Sequence, residues 1–311
     1  MSEQSLMWGG FGLLMVVMLA IDLGMNRKGH TISFRQALTW SLIWISLALA
    51  FNVGIYVFLG KIKALEFFTG YVIEKSLSVD NLFVFIMIFA YFKIRGEHQA
   101  RILKWGIIGA LVLRALFIFT GIELLTNFHW LFYLFGALLL FTAWKMAFGG
   151  EEEVHPDKNL LVRLARKMFP FTKRVRGDWF FKRRKGLLVA SPLFLALVMV
   201  ESSDVLFAID SIPAIFAVTL DPFIVFTSNI FAIMGLRALY FLLASVMGMF
   251  VYLKLGISSI LAFVGGKMIA TAMGYHIPIQ FSLLVIFACL AMAVAASLFF
   301  GKKQAVPVDT L

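Results

Sequence analysis

Long apolar runs of about membrane length are the feature that most constrains the fold of this chain. Nine follow one another along the sequence, and each is near the roughly 20 residues that an α-helix needs to cross a bilayer. The predicted spans cover residues 7–25, 37–59, 65–92, 102–122, 128–148, 187–219, 222–245, 254–273 and 279–300. Backbone groups in lipid must be paired within the protein, so the spans are expected to be helices. The sequence therefore predicts an all-α, polytopic membrane protein.

The composition agrees with this class and argues against others. Of 311 residues, 61% are hydrophobic and only 14% are charged, which is typical of a membrane protein. A net charge of +11 would suggest nucleic-acid binding in a soluble chain, but here the basic residues cluster between the apolar runs. No nucleic-acid partner is therefore expected. The one cysteine, Cys289, excludes an intramolecular disulfide, and no catalytic motif at credible spacing predicts an enzyme or a bound cofactor.

The distribution of Lys and Arg between the spans predicts the orientation. With the N-terminus outside, the cytoplasmic segments carry 21 basic residues, and the external segments carry only Lys61 and Lys63. The bias survives without the long basic loop at 149–186, at ten against two. Short basic segments stay in the cytoplasm, so the C-terminus is also expected there. The 149–186 loop is interpreted as a solvated linker, with a regulatory or lipid-headgroup contact as the alternative.

An internal duplication relates two parts of the chain. "SVDNLF" (78–83), "LRALF" (113–117) and "WKM" (144–146) match "SSDVLF" (202–207), "LRALY" (236–240) and "GKM" (266–268). The three pairs are separated by nearly the same number of residues, 122 to 124. Matches that stay in register over such a length predict two copies of one unit.

Each copy contains three spans, so the second copy enters the membrane from the opposite side. The units cover residues 65–148 and 187–273, while the spans in 7–59 and 279–300 lie outside the repeat of a single membrane domain, 1–311. Inverted repeats are a signature of secondary transporters, whose sites lie near the midplane where the two copies meet. The duplication therefore predicts a 3+3 inverted repeat and a transport function.

Carboxylates inside the spans are the candidate functional residues, because a charge in hydrocarbon costs at least a few kcal/mol. In the third span Glu74, Ser78 and Asn81 share one helix face, and Asp80 lies beside it. Both Asp80 and its repeat counterpart Asp204 are expected near the middle of their spans.

The sixth span adds a second group of acids. Glu201 and Asp204 are three residues apart and share one face, whereas Asp210 lies six residues beyond Asp204. Proline kinks a helix and frees backbone carbonyls, so Pro213 predicts a kink with free carbonyls beside Asp210 and Ser211. Carbonyls freed in this way bind cations in transporters.

The side chains expected to bind a metal all present oxygen. They are Glu74, Asp80, Asn81, Glu201, Asp204, Asp210 and Ser211. Oxygen ligands suit Mg²⁺, Ca²⁺ and Mn²⁺, and the five histidines fall in loops or at span ends. Clustered acids repel one another and tend to hold protons when the site is empty. A hard divalent cation exchanged for protons is therefore the predicted substrate.

Ion pairing is the alternative interpretation of the same acids. Lys75, Arg114 and Arg237 are also deep in the spans, and intramembrane charges commonly pair with one another. Three deep cations leave two of the five deep acids over, so pairing alone does not account for the set. The arginines are expected to be structural partners or charges that replace the absent cation. Asp22, near the inner end of the first span, is interpreted either as a ligand on the cation's path or as a helix-end charge.

Three segments carry a resemblance to a known family. They are "GYVIEKSLSVDNLFVF", "VESSDVLFAIDSIPAIFAVT" and "SNIFAIMGLRALYFLLA", and they resemble the TerC family, most closely its Alx branch. The similarity runs over nearly the whole chain. It implies a bacterial inner-membrane protein of the LysE transporter superfamily, with Mn²⁺ export as the activity and the acids above as the site. Alternatives from the same superfamily or stress systems are a carrier of amino acids or small organic cations, and a membrane scaffold; a tellurite oxyanion is disfavoured by the negative site.

Overall fold

Eleven helices and one short hairpin make up the described part of this computed structural model, which comprises residues 3–24, 33–149, 159–172, 177–184, 187–246 and 252–300. The helices are α1 (Glu3–Gly24), α2 (Phe34–Leu59), α3 (Lys61–Tyr91), α4 (Gly96–Asn127), α5 (Leu131–Phe148), α6 (Leu160–Met168), α7 (Pro192–Phe216), α8 (Pro222–Ile233), α9 (Leu236–Val246), α10 (Leu253–Ala272) and α11 (Ile279–Phe300). Strands β1 (Phe181–Arg184) and β2 (Leu187–Ala190) pair antiparallel, with Phe181 opposite Ala190.

The lengths of the helices confirm an all-α, polytopic membrane protein. Among the described residues, seven helices are long and apolar enough to cross a membrane, and α8 with α9 forms an eighth candidate that is bent by 44°. Helix α3, at 31 residues, is also long enough, but it holds the charges predicted for the third span. A count of nine spans stays a prediction, as does the orientation of the termini.

The packing of the helices is consistent with the predicted repeat. Each helix of the first unit contacts its counterpart in the second: α3 contacts α7, α4 contacts α8 and α9, and α5 contacts α10. The other contacts between the units are also preserved when the two units are exchanged. The α3–α8 contact corresponds to the α4–α7 contact, and the α5–α7 contact corresponds to the α3–α10 contact. This is the pattern that two intertwined inverted copies would produce, although the duplication itself stays a prediction.

The break in the repeat region lies between α8 and α9, whereas α7 stays helical through Pro213, and the kink expected there stays a prediction. Helix α7 continues through Pro213 to Phe216, so the backbone is helical on both sides of the proline. The chain instead breaks at Met234 and Gly235, between α8 and α9. Gly235 has φ +77°, and a Cβ there would lie 2.5 Å from the Trp44 ring. Both the backbone conformation and the lack of space therefore require glycine.

The described part of the 149–186 loop is folded onto the bundle, so the interpretation as a solvated linker was wrong for residues 159–172 and 177–184. Helix α6 packs on α7 and buries Val162 and Ala165. The Asn159 side chain accepts a hydrogen bond from the Val162 backbone and donates one to Ser202 Oγ at 2.7 Å. Amphipathic spacing in α6 accounts for this docking. Residues 150–158, 173–176 and 185–186 of the loop lie outside the described residues.

Candidate functional site

Arg114 is the centre of the candidate site. From α4 it donates through Nη1 to Glu74 Oε1 on α3, and through Nη2 to Asp204 Oδ1 on α7 at 3.5 Å. Arg114 and Glu74 are completely buried, and Asp204 is 5% exposed. Acids from the first helix of each predicted repeat unit therefore converge on one guanidinium.

Helix register explains why these three side chains meet. Glu74 is 13 residues from the start of α3, Arg114 is 13 residues from the end of α4, and Asp204 is 12 residues from the end of α7. At 1.5 Å per residue, each lies about 18–20 Å from the same end of the bundle. All three are therefore at one depth, well inside a hydrocarbon core about 30 Å thick.

Two carboxylate oxygens at Arg114 and one hydroxyl on the next turn of α3 have no hydrogen-bond partner among the described residues. They are Glu74 Oε2, Ser78 Oγ and Asp204 Oδ2, and all are buried. An ionised carboxylate can accept about four hydrogen bonds, and burying it with spare acceptors is costly. These atoms are consequently available to a ligand that brings positive charge or donors.

Glu201 lies on the same face of α7 as Asp204, and it points at α4. Its carboxylate contacts the space that a Cβ on Gly109 would occupy. Only a residue without a side chain lets the carboxylate approach the α4 backbone so closely. The sequence identified Glu201 as a candidate, but it gave no indication of Gly109, since a glycine in an apolar helix is unremarkable by itself.

Asp210 and Ser211 lie further along α7. Asp210 Oδ1 accepts a hydrogen bond from Thr142 Oγ1 on α5 at 2.9 Å. Helix α5 therefore contacts an acid of α7 as well. Ser211 is 1% exposed, and its Oγ has no partner among the described residues. Thr142 was not among the predicted site residues.

Asp80 and Asn81 continue the polar face of α3 beyond Glu74. They lie about 9–10.5 Å further along the helix axis, where Asn81 is buried and Asp80 is half-buried. The repeat paired Asp80 with Asp204, whereas the structure brings Glu74 and Asp204 to one arginine. The two repeat units therefore contribute acids from different repeat positions at Arg114.

Lys75 binds the break between α8 and α9. Its Nζ donates to the backbone carbonyls of Ala232 at 3.1 Å and Met234 at 3.4 Å. A broken helix inside the membrane leaves carbonyls unpaired, and each must find a donor within the protein. Lys75 supplies that donor and thereby connects α3 to the break.

Arg237 and Asp22 form a second buried cluster on α9 and α1. Arg237 Nη2 donates to the Asp22 backbone carbonyl and lies 3.7 Å from Asp22 Oδ1. Lys104 Nζ donates to the next carbonyl, that of Leu23, at 3.0 Å. Two cations therefore hold the C-terminal end of α1, where carbonyls lack helical partners. This arrangement favours the helix-end interpretation of Asp22.

Asn229 is a buried polar residue that the sequence reasoning missed. It is completely buried in α8, and neither end of its side-chain amide has a partner among the described residues. The signal was the polar triplet "TSN" at 227–229 inside an otherwise apolar span. An unpaired buried amide costs free energy, so Asn229 is a further candidate to face a ligand.

The predicted ligands are distributed rather than gathered around one point. Among the described residues, no three His, Cys, Asp or Glu side chains lie close enough to form a metal-binding group. Glu74 and Asp204 meet at Arg114, Glu201 faces Gly109, and Asp210 binds Thr142. The assignment of all seven as metal ligands stays a prediction.

Comparison with known proteins establishes the family. Residues 59–305 match the integral membrane protein TerC family. The chain belongs to the TerC family. The matched region contains both predicted repeat units and therefore every helix that contributes to the Arg114 site.

Close relatives cover nearly all of this TerC-family chain. It is 50% identical to an uncharacterised membrane protein, STKORF319, of Myxococcus xanthus over 94% of this chain and 92% of the relative. It is 50% identical to a protein of Escherichia coli K12 over 92% of both chains, and 49% identical to one of Salmonella typhi over 96% of both. Both of these are provisionally named membrane-bound redox modulator Alx. No solved structure matches the chain.

Proposed function

We propose that this TerC-family protein exports Mn²⁺ across the bacterial inner membrane in exchange for protons. The observation that carries the proposal is the convergence of Glu74 and Asp204 on Arg114, at a buried point between the first helices of the two units. Secondary transporters place their cation sites at this position.

Arg114 acts in this proposal as the resident cation of the substrate-free state. It compensates two buried carboxylates that could not remain charged alone. A divalent cation that binds the free oxygens of Glu74 and Asp204 competes with the guanidinium for the same negative charge. Glu74 and Asp204 carry two negative charges against one positive charge on Arg114, so one of the two acids holds a proton in the substrate-free state. Mn²⁺ brings two positive charges, so its binding displaces the guanidinium and releases that proton.

The donor set supports a hard cation. Carboxylate, amide and hydroxyl oxygens surround the site, and these suit Mn²⁺ as well as Mg²⁺ and Ca²⁺. The choice of Mn²⁺ comes from the resemblance to the Alx branch. The relatives' names refer to redox modulation, and with only Cys289 the chain cannot form an internal disulfide. We therefore attribute a redox effect of this protein to the metal content of the cell.

Transport by the purified protein in liposomes tests the proposal. Mn²⁺ uptake should follow an imposed proton gradient, and Glu74→Gln or Asp204→Asn should abolish it. Glu123→Gln is the matched control, because Glu123 is exposed near the end of α4 and its carboxylate accepts a hydrogen bond from the neighbouring Asn127 side chain. An excess of lysine should not compete.

Three results would contradict parts of this proposal. Transport that is the same with and without a proton gradient would exclude proton coupling. Full Mn²⁺ transport by both acid variants would contradict the assignment of Glu74 and Asp204 to the site. Competition by lysine would indicate an amino-acid carrier instead.

A further inference from the structure

Helix α6 presents an apolar stripe away from the protein. Leu160, Leu164 and Met168 follow one another at intervals of four residues and are 74%, 52% and 64% exposed. The opposite side of α6, with Val162 and Ala165, packs on α7. The stripe is therefore not part of the core that holds α6 in place, and it needs another apolar environment.

Basic residues accompany the stripe. Arg163 and Lys167 form an exposed row beside it on α6. The neighbouring hairpin repeats the combination, since Lys182 and Arg183 are exposed together with Leu188. Apolar side chains interleaved with Lys and Arg are typical of helices that lie in the interface of an anionic membrane.

A cavity of about 780 Å³ adjoins α6 at the end of the bundle where α3 ends and α4 and α7 begin. Lys93, Arg95 and Arg166 line it, and among the described lining residues the one carboxylate is that of Glu97. Spanning helices leave the hydrocarbon and enter the headgroup region near their ends. The cavity thus offers excess positive charge at the level where lipid phosphates lie.

Lys93 occupies a position where a glycine is the usual residue. Its φ is +50°, and the backbone closes α3 with hydrogen bonds from Lys93 N to Ala90 O and from Ile94 N to Phe89 O. Glycine ends helices in this way without strain, whereas a residue with a Cβ is strained. The turn alone would favour glycine at this position, yet the chain has a lysine side chain here.

We propose that this end of the protein binds an anionic phospholipid, with the phosphate headgroup in the Lys93–Arg95–Arg166 cavity and the acyl chains against the α6 stripe. Phosphate is the chemistry that clustered Arg and Lys recognise. The exposed leucines decide between a lipid and a soluble phosphate, because a soluble anion would need no apolar surface. The site is separate from Arg114 and does not depend on what the protein transports.

Native mass spectrometry of the purified full chain in detergent tests the proposal. The parent should retain added phosphatidylglycerol in preference to phosphatidylcholine. Lys93→Gly removes a charge and relaxes the turn, so it should weaken phosphatidylglycerol binding about fivefold without loss of folding. Combining it with Arg95→Gln and Arg166→Gln should weaken binding further. Leu160→Ser with Leu164→Ser should weaken the binding of both lipids.

Lys61→Gln is the matched control, since it removes a basic residue at the opposite end of α3 and should leave lipid binding unchanged. Equal phosphatidylglycerol binding by the parent and by Lys93→Gly, which is expected to fold, would overturn the headgroup site. Glycerol phosphate that binds as tightly as phosphatidylglycerol, with no effect of the leucine substitutions, would identify a soluble anion and overturn the lipid.

Discussion

Arg114 on α4 donates to the carboxylate of Glu74 on α3, and both side chains are completely excluded from solvent. A buried ion pair contributes little net stability compared with apolar residues, but its partners become a liability when separated. The pair is therefore best understood as a component of a site that must hold charge, and its energetics can be measured.

Arg114→Met should destabilise the protein, because it leaves Glu74 and Asp204 buried without their shared partner. Breaking such a pair costs about 3–5 kcal/mol of unfolding free energy. Adding Glu74→Gln should recover part of that loss, since the uncompensated charge is removed. Denaturant titrations of the parent, both single variants and the double variant measure the coupling. Additive effects would show that Arg114 and Glu74 are energetically independent.

Gly109→Ala should impair transport without unfolding the protein. The new Cβ takes the space of the Glu201 carboxylate, which is the flexible end of its side chain and can move. Alanine also favours a helix by about 1 kcal/mol over glycine, so stability should be retained. A perturbation of Glu201 by about 1.4 kcal/mol would reduce transport about tenfold.

The matched control for this substitution is Gly266→Ala on α10, where a Cβ meets nothing within 4 Å. It should leave transport at the level of the parent. Equal transport by Gly109→Ala and Gly266→Ala would show that transport does not need the close approach of the Glu201 carboxylate to Gly109.

Gly235→Ala should destabilise the break between α8 and α9 more than the same change at Gly274. Both glycines have positive φ, +77° and +90°, so both substitutions are strained, by about 1–2 kcal/mol. Only at Gly235 would the Cβ also overlap a side chain, the Trp44 ring, and such overpacking adds about 1–3 kcal/mol. Thermal unfolding of the two variants in detergent gives the comparison. A larger loss for Gly274→Ala would contradict the role of Trp44.

Lys63 should make the stability of the N-terminal ends of α3 and α8 depend on alkaline pH. It lies before the apolar span of α3 and binds Asp221 at 2.8 Å and Glu66 at 3.0 Å. Burial alone would lower the pKa of Lys63, but the hydrogen bonds to Asp221 and Glu66 outweigh it and raise that pKa above 10.5. The stabilisation is complete below the unfolded pKa and is lost as pH rises through the higher folded pKa.

Lys63→Arg keeps its charge over this pH range and is the comparison for that measurement. Relative to the parent, it should gain stability as pH rises above about 10.5. Parallel unfolding curves for the two proteins across this range would contradict a contribution from Lys63. Asp221→Asn should remove the ion pair while keeping the cap of α8, because Asn also accepts hydrogen bonds from a helix N-terminus.

The sequence determined the class of the protein and identified the charged residues inside its spans. Lipid cannot satisfy backbone polar groups, so long apolar runs must become helices whatever their neighbours are. For the same reason Glu74, Asp204 and Arg114 could be recognised as significant, since a charge inside a span is costly wherever its partner lies. These conclusions depend on local sequence and on the membrane alone.

Only the tertiary structure decided which of these groups meet. Arg114 pairs with residues 40 and 90 positions away, and Arg237 with one 215 positions away. Such pairs depend on the rotation and axial position of each helix relative to the others, which sequence periodicity does not specify. The break at Gly235 rather than Pro213 has the same cause: its carbonyls are stabilised by Lys75 from another helix, and its glycine is required by Trp44 from a third.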